Sequence, residues 1–188
     1  MIIMKRFLIL TLVFIPMFVY AQNKFEPQLK VSYELGIDKD KNQSFGGEFL
    51  AGYRMSNDFR LGVGTGIYWC ELLYEDAHYN SSIHYYSKEY RETASYIPIF
   101  LNGKYNIIST GDWRPYIAID FGYAIFNSAS KYADNNKLGI YTKPAFGVDY
   151  SIGKGSLFME VGYKYQDRKF HDTKMGYSQL TLSIGYQF

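Results

Sequence analysis

The chain has 188 residues, 47% hydrophobic and 20% charged, enough for one domain, and its formal charge of +2 lacks the basic excess that attracts nucleic acid. Its single cysteine, Cys70, excludes an intramolecular disulfide and a Cys-based zinc site. The departure from ordinary composition is aromatic: twenty Tyr and fourteen Phe exceed what a core of this size needs, whereas strands facing lipid place Tyr and Phe at the membrane interfaces.

Residues 1–21 read as a secretory signal peptide. Lys5 and Arg6 form the basic n-region, Phe7 to Tyr20 the apolar h-region, and Val19 and Ala21 stand at −3 and −1, predicting cleavage before Gln22. The apolar run is shorter than the roughly 20 residues a helix needs to cross hydrocarbon, and Pro16 interrupts it. The mature chain, 22–188, holds no later stretch of that length, so any membrane span is made of strands.

From Gln28 onward the pattern has period 2, which puts alternate residues on opposite faces of a strand. The first strand sets Leu29, Val31, Tyr33, Leu35 and Ile37 against Lys30, Ser32 and Glu34. The second sets Phe45, Phe49, Ala51 and Tyr53 against Gly46, Glu48, Gly52 and Arg54. The third sets Phe59, Leu61, Val63, Ile67 and Trp69 against Arg60, Gly62, Gly64, Gly66 and Tyr68. In the fourth, Ile97, Ile99, Leu101 and Tyr105 oppose Pro98, Phe100, Asn102 and Lys104, with Pro98 marking a bulge or a strand entry because it lacks a donor.

The fifth strand sets Trp113, Ile117, Ile119, Phe121 and Tyr123 against Arg114, Tyr116 and Asp120, and the sixth sets Ile140, Phe146, Val148 and Tyr150 against Lys143, Gly147 and Asp149. The seventh sets Leu157, Met159, Val161 and Tyr163 against Phe158, Glu160 and Lys164. The eighth ends the chain, with Leu180, Leu182, Ile184, Tyr186 and Phe188 on one face. No charge falls on the apolar face of any of them.

Alternation alone does not orient the faces, because a soluble barrel also alternates, with its apolar residues inside. Three features put lipid outside. Aromatic residues concentrate toward strand ends, as two interfacial girdles require, and Gly and charge share the other face, where an eight-strand interior has room only for its own side chains. Connections also alternate in length: short turns near 56–58, 108–112 and 151–155, long ones at about 38–44, 71–93, 127–138 and 166–176. An even strand count then puts both termini on the short-turn, periplasmic side. Backbone groups in lipid must all be paired, so the strands must close. The expected fold is all-β, an eight-stranded antiparallel transmembrane up-and-down β-barrel.

Ser95-Tyr96-Ile97-Pro98-Ile99-Phe100-Leu101 with Lys104-Tyr105, Arg114-Pro115-Tyr116-Ile117 with Gly122-Tyr123, and the close Leu180 to Phe188 resemble strands of the small outer-membrane β-barrel domain proteins grouped with PorT-like and, more distantly, OmpX-like barrels. The first of these is spaced one residue tighter before the proline than the family pattern. The resemblance covers essentially the whole mature chain and implies a location in outer-membrane lipid. It also implies that Tyr186 and Phe188 serve as the signal read by the barrel assembly machinery. It implies a shared fold more firmly than a shared function.

The inward charges are Lys30, Glu34, Glu48, Arg54, Arg60, Lys104, Arg114, Asp120, Lys143, Asp149, Glu160 and Lys164. Buried ions survive only when paired, so these are expected to form a lumen network that plugs the barrel and fixes register; the competing reading is a narrow channel for small solutes. The three histidines, His78, His84 and His171, fall in the external connections, where Ser81 and Ser82 lie near His84 and Asp76 near His78. Proximity in a loop supplies neither a triad's geometry nor a metal site, so neither enzyme activity, such as lipid modification at the rim, nor a cofactor is expected. The segment 71–93 carries Tyr74, Tyr79, Tyr85, Tyr86 and Tyr90. Tyr offers large amphipathic contact area at low entropy cost, which makes this segment a candidate surface for an extracellular ligand; the competing reading is that these side chains extend the outer girdle and hairpin.

Overall fold

The computed structural model describes residues 24–37, 43–78, 86–128, 138–170 and 173–188, with side chains described outside 72–92, 127–138 and 168–175. The segment 1–21 therefore lies outside the described residues, as do His84, Ser81, Ser82 and His171.

Eight strands follow one another in chain order: β1 (Phe25–Gly36), β2 (Gln43–Arg54), β3 (Phe59–His78), β4 (Tyr86–Asn106), β5 (Trp113–Ser128), β6 (Leu138–Ile152), β7 (Gly155–Phe170) and β8 (Thr173–Gln187). Each pairs antiparallel with its sequence neighbour, and β8 pairs with β1 from Gln187↔Gln28 to Gln179↔Gly36, so the sheet closes into a barrel. Closure satisfies the backbone of every strand without an edge in the membrane.

The registers also fix the tilt. Glu26 pairs with Gly52, and the row continues through Gly62, Asn102, Asp120 and Lys143. Carried across β6–β7 in constant register to Lys164, it proceeds to Gln179 and returns to β1 at Gly36, ten residues above its start. Such a stagger tilts the strands by about 35–45° from the barrel axis.

The face assignment follows the alternation. The large apolar residues assigned above to the lipid face are exposed, from Leu29 and Val31 on β1 to Leu182, Ile184 and Phe188 at the end of the chain, except Val148 and Tyr186, which are half-buried. Two aromatic rows flank this band. On the long-connection side Tyr33, Phe45 and Trp69 are register neighbours across β1, β2 and β3. On the short-turn side Phe59 pairs with Tyr105, and the Trp113 and Tyr150 rings lie 4.7 Å apart. Rings with an apolar body and a polar tip suit the boundary between hydrocarbon and water.

Inside, the glycines are explained by the aromatic residues opposite them. Phe100 pairs with Gly64 and Tyr116 with Gly147, and each ring lies across its partner: a Cβ on Gly64 would sit 2.4 Å from Phe100 Cζ, and one on Gly147 would sit 2.4 Å from the Tyr116 ring. Tyr68 faces Gly46 and Phe158 faces Gly185 in the same way. Large and small residues thus alternate around the narrow interior, and the rings cover backbone that would otherwise lack side-chain contact.

Three sequence expectations are corrected. β1 begins at Phe25, three residues before the expected start, and therefore includes Glu26 and Pro27. Pro98 makes neither a bulge nor a strand entry. It lies within β4, whose register to β3 is the same on both sides of it, Thr65↔Ile99 and Tyr68↔Tyr96, and Thr65 Oγ1 donates to its carbonyl at 2.9 Å. The long connections are also shorter than expected. β3 runs to His78 and β4 starts at Tyr86, so most of 71–93 is paired strand, and β7 and β8 take up most of 166–176. Above the membrane both faces meet water, so pairing persists where the in–out alternation that reveals strands has lapsed.

Candidate functional site

Lumen side chains form three tiers along the barrel axis. At the short-turn end Arg54 is ion-paired with Glu26, and Lys104 Nζ lies 2.5 Å from Asp149 Oδ2 and 3.8 Å from the centre of the Tyr116 ring. Arg60 Nη1 donates to Gln187 Oε1 at 2.8 Å and lies 4.0 Å from Glu26, while Arg114 Nη2 donates to Ser156 Oγ at 2.7 Å. Arg54 is half-exposed at the mouth and the others reach inward.

The middle tier is centred on Glu48. Its carboxylate receives Lys30 at 2.6 Å, Lys143 at 3.0 Å, and the Tyr68 and Tyr141 hydroxyls at 2.5 and 3.3 Å. Lys143 also meets Asp120 Oδ2 at 3.0 Å, which lies 3.8 Å from Lys30; Lys30 in turn reaches Glu160 at 3.4 Å, and Asn102 Nδ2 donates to Asp120 at 2.6 Å. Two ammonium groups thus stand among three carboxylates contributed by β2, β5 and β7.

The upper tier is a closed triad. Lys164 donates to Glu34 at 2.5 Å and to the Tyr96 hydroxyl at 2.7 Å, and that hydroxyl donates to Glu34 at 2.6 Å. Lys164 and Glu34 are fully buried, and Tyr96 stacks on Tyr68 with ring centres 4.8 Å apart. In a low-dielectric interior each of these charges would be costly alone, and the mutual contacts offset that cost.

Of the twelve inward charges expected from the sequence, eleven contact one another or Glu26 as ion pairs, and Arg114 meets only a serine hydroxyl. Glu26 was missed because the first strand was started too late. Tyr68 and Tyr116 fall on the inner face in the sequence pattern but were not joined to the charges, and Tyr96 and Tyr141 were given no face. Parity was the available signal: Tyr141 precedes Lys143 by two, and Tyr96 precedes Pro98 by two, so both share the inner face. Side chains at this centre are essentially closed to solvent, with Tyr68, Tyr141 and Lys164 at 0% exposure and Lys143 at 1%. Among the described residues no cluster of His, Cys, Asp and Glu has the arrangement of a metal site.

On the opposite side of the membrane, β3 and β4 outrun their neighbours among the described residues. Pairing of β2 with β3 ends at Ser44↔Cys70 and pairing of β4 with β5 at Ala94↔Ser128, whereas β3 and β4 stay paired from Glu71↔Thr93 to His78↔Tyr86. A two-stranded hairpin of eight residue pairs, about 26 Å long at 3.3 Å per residue, therefore projects from the wall. At the other end Phe188 continues the closing strand: its amide donates to the Pro27 carbonyl at 3.0 Å and its ring meets Tyr186 edge-on.

A closed sheet of eight strands, apolar without and ionic within, defines a transmembrane barrel. The chain belongs to the family described as outer membrane protein beta-barrel domain, whose model matches residues 7–188, and it is an outer-membrane protein. That match is to the general domain and does not single out PorT-like or OmpX-like barrels. Among solved structures it is similar to Neisserial surface protein A, at 17% identity and a TM-score of 0.59, covering 87% of this chain and 95% of that one. It is likewise similar to the outer membrane protein OprG from Pseudomonas aeruginosa, at 12% identity and a TM-score of 0.57, covering 88% and 97%. These likenesses establish the fold. No curated protein matches the chain in sequence.

Proposed function

We propose that this barrel is a non-enzymatic membrane scaffold that presents a surface-binding hairpin, and that its lumen is a plug, not a pore. The observation that carries this reading is the projecting β3–β4 hairpin. Among the described residues the β2–β3 register ends at Cys70 and the β4–β5 register at Ala94, so from Leu72 to Glu92 the hairpin offers backbone donors and acceptors that an extended segment of a partner can pair with. A plugged lumen agrees with the same reading, since the middle-tier side chains fill the axis and, apart from a partly exposed Lys30, are closed to solvent. The chain reaches this place after loss of residues 1–21, with the short turns and both termini facing the periplasm.

The test replaces residues 72–92 with a two-residue Asn-Gly turn. Vesicles carrying the intact protein are expected to be retained on immobilised extracellular proteins, and vesicles carrying the shortened barrel to be lost, while heat-modifiable migration shows both folded. Equal retention would remove the hairpin from the function.

Assembly is a separate matter. In this reading Tyr186 and Phe188 are also the signal for the barrel assembly machinery, so deleting Phe188 should reduce insertion in cells far more than the loss of one exposed Phe, worth about 2–3 kcal/mol, would in vitro. Normal insertion in cells would refute the signal role; failure of refolding in detergent as well would mean that the residue acts through stability.

A further inference from the structure

Glycine is forced on the inner face of this barrel by crowding. A Cβ on Gly46, Gly64, Gly122, Gly147 or Gly185 would collide with a ring or a carbonyl oxygen of the neighbouring strand. In the turns it is favoured by conformation, since Gly111 and Gly153 have positive φ. Two strand glycines share the parity of the lipid face, Gly47 on β2 and Gly103 on β4, and the space over Gly103 is taken by Leu61 and Ile119, which an added Cβ would touch at 3.9 and 3.8 Å. Gly47 is different. It lies between the exposed Phe45 and Phe49, its φ is not positive, and the nearest atom to an added Cβ is the Lys30 carbonyl oxygen at 3.6 Å, with no side chain of the described residues within 4 Å. Nothing inside the fold requires glycine there, and a glycine in a strand interior weakens the strand unless something outside approaches its backbone closely.

Around Gly47 the lipid face is hollowed into an open groove of about 700 Å³, in the range of roughly 300–1,000 Å³ typical of small-ligand sites. Its walls are Leu29 and Val31 of β1, Phe49 of β2, Thr65 and Ile67 of β3 and Ile184 of β8. The one hydroxyl among them, on Thr65, is spent on the Pro98 carbonyl, and Lys30 and Glu48, which adjoin the groove, meet each other in the middle tier. Val31, Thr65, Ile67 and Ile184 are β-branched and restricted at χ1, so the walls hold their shape without further ordering. On β3 the groove opens near the long-connection side: Ile67 is two residues from Trp69 of that aromatic row and eight from Phe59 of the other.

At this depth the occupant is hydrocarbon or a second protein wall. Close approach of two walls in lipid needs small residues over a patch, whereas Gly47 stands alone among Leu29, Val31, Phe49 and Ile67, all of which project into the lipid and would hold a second convex barrel away from it. A lipid tail is narrow and jointed at each carbon. Leaving bulk lipid for the groove gives it no hydrophobic gain, but it gains dispersion contacts from floor and walls together that a flat wall does not offer. We propose that the Gly47 groove seats one acyl chain of a membrane lipid, in the long-connection half of the bilayer. The site is independent of the hairpin and of the lumen.

The experiment is native mass spectrometry of the protein folded in tetraethylene glycol octyl ether, whose short chain competes weakly, during titration with dipalmitoyl phosphatidylcholine. One saturable lipid adduct is expected. Gly47→Leu fills the groove without crowding the fold, so it should retain heat-modifiable migration and bind the lipid at least about tenfold more weakly. Gly103→Leu places the same side chain on the lipid face outside the groove and should bind as the wild type does. Glycerophosphocholine, the headgroup without its chains, should not compete. Absence of a saturable adduct on the folded wild-type protein, equal binding by Gly47→Leu, an equal loss in Gly103→Leu, or competition by glycerophosphocholine would overturn the proposal. Wild-type dimers that Gly47→Leu abolishes would also overturn it, by giving the groove to a second copy of the chain.

Discussion

Replacing Lys143 with Ala should lower the stability of the barrel by about 3–5 kcal/mol, the cost of leaving a buried charge without its partner. Lys143 Nζ sits 3.0 Å from Glu48 and 3.0 Å from Asp120, and both carboxylates are excluded from water. After its removal Lys30 is, among the described residues, the one cation left in ion-pair contact with Glu48, Asp120 and Glu160. Reversible urea unfolding in lipid vesicles is the measurement. A combined Lys143→Met, Glu48→Gln variant should recover most of the loss, because neutral, well-packed groups avoid the desolvation that an unpaired carboxylate suffers. A loss below about 1 kcal/mol for Lys143→Ala would mean that the tier is hydrated and the charges solvated separately.

The outer face makes the second large prediction. Ile119 is half-exposed on β5, paired with Gly103 on β4 and Pro144 on β6 and six residues along the strand from Trp113 of the short-turn row. Ile119→Arg should cost about 2–4 kcal/mol in a bilayer, and Trp113→Arg, at the short-turn girdle, only about 0–1 kcal/mol. The same urea titration checks both. Equal costs at the two depths would contradict the placement of the hydrocarbon band.

The two variants probe the inner and outer faces of one strand pattern, and the sequence made that division legible. Period-2 alternation separated Lys143 from Phe146 and Asp120 from Ile119 without reference to any contact, because in a strand parity alone decides the face. What parity cannot say is who meets whom across the lumen. Lys164 and Glu34 are 130 positions apart, and Glu48 meets Lys143 from the far wall; both contacts depend on the accumulated stagger of eight registers, which no local pattern contains. Pro98 misled for a related reason. A missing donor usually ends a ladder, yet the β4 register holds across it because a side chain, Thr65, bonds its carbonyl and the pairs on either side keep the strands aligned.

The candidate sites divide in the same way. The charges of the lower tier could be placed on the inner face by counting, but the cavity they share with Asn106 exists only where two short turns meet at the end of the barrel. The hairpin was harder to see. From Glu71 to His78 and from Tyr86 to Thr93 neither face is committed to lipid, so polar and aromatic residues mix freely and the strand signal disappears although the backbone stays paired.

Conductance is the most direct test of whether the lumen is closed by its own side chains. Purified protein, refolded and inserted into a planar bilayer, is expected to give no discrete current steps, because the Glu48–Lys143–Lys30 tier and the Glu34–Lys164–Tyr96 triad above it occupy the axis. Reproducible unitary steps from the folded wild-type barrel would contradict it and make the protein a channel.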